Sequence, residues 1–76
     1  MSSNTNYGPN TLQYNTSGQN NTAIGSYSLS SNTTGSSNVG LGTNALLKNR
    51  NGSFNSALGT AALCFNEDGG RNTAVG

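Results

Sequence analysis

Apolar and polar positions in this chain repeat with a long, regular period. Large residues return every 17 positions, each followed at once by glycine; they are Tyr7, Ile24, Leu41, Leu58 and Val75. A second apolar column has the same spacing and consists of Leu12, Leu29, Leu46 and Leu63. Self-similarity at one fixed period is the sequence signature of a repeat protein. The chain therefore contains about four and a half copies of one 17-residue unit.

Polar residues keep the same register. Each unit contains an Asn-x-x-Gly segment, in which Asn15, Asn32, Asn49 and Asn66 stand three residues before Gly18, Gly35, Gly52 and Gly69. Asparagine suits the first position of a type I turn and glycine suits the last. These eight residues are the predicted turn residues of the repeat.

The segments between the turns predict short strands. Residues 36–41 contain two Ser and one Val and end on a large aliphatic residue, which predicts a short strand of about five or six residues. A second short strand is expected around Leu46, before the next turn. Glycine and asparagine recur too densely for a helix of about twelve residues. The predicted fold class is therefore all-β, a parallel β-solenoid of 17-residue coils.

Stacking of coils about 4.8 Å apart would turn each apolar column into a ladder. The expected core consists of Ile24, Leu41, Leu58 and Val75 together with Leu12, Leu29, Leu46 and Leu63. The residue before each large strand residue points to the opposite face of the strand, and it is small in Ala23, Gly40, Ala57 and Ala74. Because a free surface would tolerate larger polar residues, this small column is the predicted subunit interface of a parallel, in-register homo-oligomer. A cyclic trimer would close three solenoids around one axis.

Composition changes this picture in one respect. Asn, Ser, Thr and Gly make up 45 of the 76 residues, which is ordinarily typical of disorder. The fixed register instead assigns many of them to corners and ladders. The few apolar residues predict that a coil this thin needs identical partners. We expect residues 1–3 to be a tail and residues 4–76 a repeat domain of about 4.5 coils that belongs to a longer fibre.

Charge and candidate chemistry argue against several functions. A net charge of +1 with three cations does not favour nucleic-acid binding, and no apolar run of about 20 residues predicts membrane insertion. The chain lacks histidine, and Lys48 and the adjacent Glu67 and Asp68 lie near turns, so no catalytic site is predicted. A single cysteine, Cys64, does not make a metal site. We expect neither an enzyme nor a cofactor.

The segments that end in glycine carry a family resemblance; they are residues 21–25 (NTAIG), 38–42 (NVGLG), 55–59 (NSALG) and 72–76 (NTAVG). They resemble the head repeats of trimeric autotransporter adhesins, the YadA-like head. They resemble still more the NTAIG-type repeats of tail-fibre and surface-fibre proteins of phages and large viruses. The resemblance implies a trimer of left-handed parallel β-rolls, extracellular, on a virion, phage fibre or bacterial surface.

The expected function is a non-enzymatic structural and adhesive segment of such a fibre, which extends or presents a receptor-binding structure. The expected partners are the chain itself, as a homotrimer, and a host-surface glycan or receptor through the parent fibre. The alternative is an ice-binding solenoid, because the column of Thr5, Thr22, Val39, Ser56 and Thr73 partly fits a threonine ladder. A paired Thr-x-Thr ladder is missing, so this alternative ranks second.

Overall fold

Each 17-residue unit contributes one three-residue strand to a single parallel sheet. A computed structural model describes residues 3–76. The strands are β1 (Thr5–Tyr7), β2 (Thr22–Ile24), β3 (Val39–Leu41), β4 (Ser56–Leu58) and β5 (Thr73–Val75). They pair in chain order and in register, so that Thr22 lies beside Val39 and Ile24 beside Leu41. The predicted parallel β-solenoid of 17-residue coils is confirmed.

The other half of each coil is not a strand, and the prediction of a second strand around Leu46 is wrong. We call this half the turn arc: residues 8–15, 25–32, 42–49 and 59–66. Within one arc the N–H groups of Ala45, Leu47 and Asn49 donate to carbonyls three residues earlier. Leu46 itself has a φ of 53°, which is the left-handed region and not extended backbone. The arc is therefore a run of overlapping β-turns.

The predicted Asn-x-x-Gly turns bend the chain without the backbone hydrogen bond of a closed type I turn. In a hydrogen-bonded type I turn the Gly35 N–H would donate to the Asn32 carbonyl. Instead the Asn32 side-chain amide donates to the Gly35 carbonyl at 3.0 Å. The N–H groups of Thr33, Thr34 and Gly35 converge on the Arg50 carbonyl of the next coil, at 3.0 to 3.1 Å. Three donors thus share one acceptor and tie each bend to the next.

Two asparagine columns run through the solenoid as hydrogen-bonded ladders. In the column of predicted turn residues, the Asn49 amide donates to the Asn32 side-chain oxygen at 2.9 Å. In the column that begins each unit, the Asn38 N–H donates to the Asn21 side-chain oxygen at 3.0 Å. No buried side-chain nitrogen or oxygen among residues 3–76 lacks a partner. The buried amides are therefore satisfied by asparagines one coil away and by glycine carbonyls of the bends, which offsets the penalty for burying them.

The core lies between the two halves of the coil and is only partly the predicted one. Leu29 and Leu46 are fully buried, and Leu12 and Leu63 pack against them from the end coils. The other predicted column, Ile24, Leu41, Leu58 and Val75, lies on the outside of the sheet. The prediction that this second column belongs to the core is wrong for the isolated chain.

The interior position of the strand is taken by the small column. Ala23 is fully buried, and Ala57 is 2% exposed, inside the coil. A Cβ atom on Gly40 would lie 2.6 Å from the Ser28 hydroxyl oxygen and 3.3 Å from the Ala45 carbonyl oxygen. The space between strand and turn arc therefore admits only small side chains, and the larger residues must point outward.

Candidate assembly surface

The outward side of the sheet is the most distinctive surface of the molecule. Because strand residues alternate in direction, the first and third residue of each strand point outward together. We call this the strand face; it consists of Thr5, Tyr7, Thr22, Ile24, Val39, Leu41, Ser56, Leu58, Thr73 and Val75. In-register pairing makes it two straight columns, one mostly threonine-like and one of large apolar residues.

Large apolar side chains on the strand face are open to solvent. Ile24 is 36% exposed, Leu58 51% and Val75 76%, while Leu41 is half-buried between its neighbours. A shallow groove of about 270 Å³ runs along the face over strands β3, β4 and β5, and its lining is almost wholly apolar. A continuous apolar surface of this kind marks an interaction site more often than scattered exposed residues do.

Charge is absent from the strand face. The five charged residues of the chain all lie in other positions of the repeat: Lys48, Arg50, Glu67, Asp68 and Arg71. The guanidinium of Arg71 lies 5.4 Å from the centre of the Phe54 ring, which is a cation–π contact away from this face. Uncharged residues in straight columns allow two such faces to approach without burying an unpaired charge.

The predicted interface residues do not lie on this surface, so that prediction is also wrong. Ala23, Gly40 and Ala57 are buried inside the coil, and Ala74 is half-buried at the last strand. Their backbones pack closely against another segment, as their size predicted, but that segment is the turn arc of the same chain. The small column therefore marks the inside of the coil, and the large column marks its free face.

Sequence reasoning missed one interior column entirely. Thr11, Ser28, Ala45 and Ala62 precede the core leucines and are all buried, facing the small strand column. In the first coil the Asn6 amide donates to the Thr11 hydroxyl at 3.1 Å, and in the second the Ser28 hydroxyl donates to the Gly40 carbonyl at 2.9 Å. The available signal was the restriction of this position to Ala, Ser and Thr.

Chemistry other than packing is sparse in the described part of the chain. Residues 3–76 contain no group of three His, Cys, Asp or Glu side chains that could hold a metal ion. No helix long and apolar enough to cross a membrane occurs there either. Glu67 and Asp68 are exposed, and Cys64 is a half-buried free thiol. Of the predicted tail, Met1 and Ser2 lie outside the described residues, while the Ser3 hydroxyl donates to the Asn20 side chain at 2.6 Å.

The chain matches no protein-family model, no curated protein and no solved structure. The strand face is therefore the feature of the molecule that indicates a function.

Proposed function

We propose that this chain is a non-enzymatic structural segment of a homotrimeric, extracellular surface fibre, viral, phage or bacterial, which extends or presents a receptor-binding structure. The observation that carries the proposal is the strand face, with its straight apolar column and no charge. Assembly through this face buries the large apolar side chains that lie on the outer side of the sheet in the single chain. A second copy offers the same surface with the same spacing of about 4.8 Å between rungs.

The geometry favours partners with parallel axes. When solenoids lie side by side in the same direction, every rung of one faces the equivalent rung of its neighbour, and each added coil extends the contact. Cyclic symmetry around an axis along the rods achieves this for every chain at once. The number three comes from the resemblance to fibre and adhesin head repeats. In this arrangement the strand faces meet at the trimer axis, and the turn arcs, together with the exposed Lys48 and the adjacent Arg50, face solvent.

The test is sedimentation equilibrium of the 76-residue chain over a wide range of concentration. We expect a species of three times the 7.7 kDa chain mass. The double variant Leu41→Lys, Leu58→Lys places charges in the apolar column and should leave only a folded monomer. The matched control is Ser17→Lys, Thr34→Lys, which places two lysines in adjacent coils on an exposed column away from the sheet. The control should still form the trimer.

A folded monomer at all concentrations of the parent chain would overturn the proposal. Loss of assembly in both double variants would also contradict it, because the effect would then follow from charge alone. A dimer would keep the strand face as the interface but exclude the trimeric fibre.

The second candidate function is ice binding, and one observation favours it. The strand face is in register, and Thr5, Thr22 and Thr73 stand in its threonine-like column. Val39 and Ser56 interrupt that column, and Tyr7 projects from the first rung with 78% of its surface exposed. A thermal-hysteresis assay decides between the two. The fibre segment should show none, whereas activity that Leu41→Lys, Leu58→Lys abolishes would replace our proposal.

A further inference from the structure

The third residue of each Asn-x-x-Gly bend belongs to an exposed column, which we call the bend column; it consists of Ser17, Thr34, Asn51 and Asp68. Hydrogen bonds join three of these side chains from coil to coil. The Thr34 hydroxyl donates to the Asn51 side-chain oxygen at 2.7 Å. The Asn51 amide donates to an Asp68 carboxylate oxygen at 3.0 Å. Asn51 is therefore held between a hydroxyl on one side and a carboxylate on the other.

These two partners fix the direction of the Asn51 amide. An ionised carboxylate only accepts hydrogen bonds, so the amide nitrogen faces Asp68. The amide oxygen then faces the Thr34 hydroxyl, which donates to it. A donor thus lies where negative charge would develop if a nucleophile attacked the amide carbon, and a carboxylate lies beside the nitrogen that would leave.

The nucleophile within reach is the backbone nitrogen of the next residue, Gly52. Glycine leaves the approach to the Asn51 side-chain carbon open, because it has no Cβ. Residues 51 and 52 form the only Asn-Gly pair among the 14 asparagines of the chain. Packing requires glycine at this place, since a Cβ on Gly52 would collide with the Asn49 side-chain oxygen. Position 51 itself varies between coils, and asparagine occurs there once.

The Gly52 nitrogen is held more weakly than its equivalents in other coils. Its N–H donates to the Glu67 carbonyl at 3.3 Å, whereas the N–H groups of Gly18 and Gly35 reach their carbonyls at 3.1 Å. A distance of 3.3 Å lies beyond the usual range for an N–H···O bond. This bond therefore opens more easily and frees the nitrogen. Asn51 is exposed, so water reaches the site.

Other asparagines of the chain are unsuited to the same reaction. Asn38 and Asn55 are fully buried, and their amides donate to glycine carbonyls. Asn10 and Asn20 are exposed, but each is followed by a residue with a side chain. Among residues 3–76, only Asn51 combines exposure with a following glycine.

We propose that Asn51 is a self-modifying site, where the side-chain amide is converted into a carboxylate without an enzyme. The Gly52 nitrogen gives its proton to water and attacks the Asn51 side-chain carbon, so that a C–N bond forms. The bond from this carbon to the amide nitrogen breaks, and that nitrogen takes a proton from water and leaves as ammonia. Water then opens the resulting succinimide ring at either carbonyl, which gives aspartate or isoaspartate. The sum consumes one water and releases one ammonia.

Thr34 and Asp68 assist this reaction at the reacting atoms. The hydroxyl stabilises the oxyanion that forms on the Asn51 side-chain oxygen. The carboxylate stabilises the positive charge that develops on the departing nitrogen. Both groups therefore stabilise the transition state more than the starting amide.

The product changes the bend in two ways. A carboxylate at position 51 faces Asp68 where an amide donated before, so attraction becomes repulsion. Three cations and two anions become three and three, and the formal net charge falls from +1 to 0. An isoaspartate also adds one carbon atom to the backbone of a bend whose N–H groups converge on a single carbonyl. Modification therefore increases with the age of the protein and loosens one bend, away from the strand face.

The test is peptide mass spectrometry of the folded 76-residue chain during incubation at physiological pH and temperature. We expect conversion of amide to acid at position 51, with isoaspartate among the products, and none at Asn38 or Asn55. Thr34→Val removes the hydroxyl with little change of shape and should slow the reaction by about fivefold, which corresponds to one net hydrogen bond. The matched control is Thr33→Val. The Thr33 hydroxyl donates to the Arg50 carbonyl at 3.3 Å, so its loss should leave the rate unchanged.

Two further variants test the carboxylate and the product. Asp68→Thr places an uncharged residue in the bend column, as Thr34 is in its own coil, and should also slow the reaction. Asn51→Thr should give no product, and its hydrogen exchange at Gly52 should stay constant while that of the parent speeds up with age. None of these measurements requires the trimer, so failure of the proposed function does not affect them. The proposal is overturned if position 51 remains an amide in the folded chain, or if Thr34→Val reacts as fast as the parent.

Discussion

The strand half and the turn half of each coil place their large aliphatic residues in opposite directions. In the turn arc Leu46 is fully buried, whereas on the sheet Leu58 is 51% exposed. Both residues recur every 17 positions and look equivalent in the sequence. The difference comes from the neighbouring residue on the strand. Ala57 takes the inward-pointing position of β4, where the coil is too narrow for a larger side chain, so Leu58 points outward. A small residue beside a large one therefore marks the interior of this thin solenoid.

The largest expected effect compares two leucines on the two halves. Leu46→Ala should lower the free energy of unfolding by about 3 kcal/mol, because it opens a cavity in the buried leucine core. Leu58→Ala, the same chemical change on the strand face, should lower it by less than about 1 kcal/mol in the monomer. Urea denaturation at concentrations that keep the chain monomeric measures both. Equal losses would mean that the strand face is buried within the folded chain.

The asparagine ladder gives the next effect. The Asn49 amide donates to Asn32 and to the Gly52 carbonyl, and its oxygen accepts from Asn66 at 3.1 Å. Asn49→Ala should lower stability by about 2 kcal/mol, because buried partners lose their bonds. The control is Asn51→Ala, two residues along, whose side chain is exposed and bonds to Asp68. Its loss should stay below about 0.5 kcal/mol in the same denaturation experiment. A comparable loss at both sites would show that the ladder does not stabilise the fold.

A smaller effect tests the contact between the two interior columns. Gly40→Ala should destabilise the chain by about 1 kcal/mol, since its Cβ would meet the Ser28 hydroxyl oxygen at 2.6 Å. Ser28→Ala combined with Gly40→Ala recreates the pair of Ala45 and Ala57, which fits one coil later. The double variant should therefore be at least as stable as the parent. A thermal melt series would contradict this packing if the double variant lost as much stability as Gly40→Ala alone.

The smallest effect concerns the backbone of the turn arc. Ala61 has a φ of 60° and is exposed, so its side chain adds strain without adding core contacts. Ala61→Gly should stabilise the chain by about 0.5 kcal/mol, the strain relieved less the added entropy of the unfolded chain. Ala45→Gly, at a buried position without positive φ, should instead destabilise it. Chemical denaturation that finds Ala61→Gly less stable than the parent would exclude strain at this position.

Much of the fold follows from the sequence because the repeat specifies it many times over. The period of 17 residues sets the coil, and in-register stacking of identical positions explains why one asparagine satisfies the next. The prediction of a second strand around Leu46 was wrong because the apolar character of a residue does not indicate its backbone φ angle. Leu12, Leu29, Leu46 and Leu63 all take values between 49° and 53°, which few leucines adopt. Tertiary hydrogen bonds between arcs hold them there.

From the sequence, the assembly surface could be either of two faces of the strand: the one with the small column or the one with the large column. Alternation along the strand, as at Ala57 and Leu58, shows that a small column and a large column point in opposite directions. It does not say which of them faces inward.

By itself, then, the sequence determined the period, the parallel stacking, the buried leucine column and the ladder of amides. Only the tertiary structure decided that the small column faces inward and that the large column forms an exposed face. The physical reason is the width of the coil. The distance between strand and turn arc depends on how residues eight or more positions apart fold toward each other. No local pattern encodes that distance.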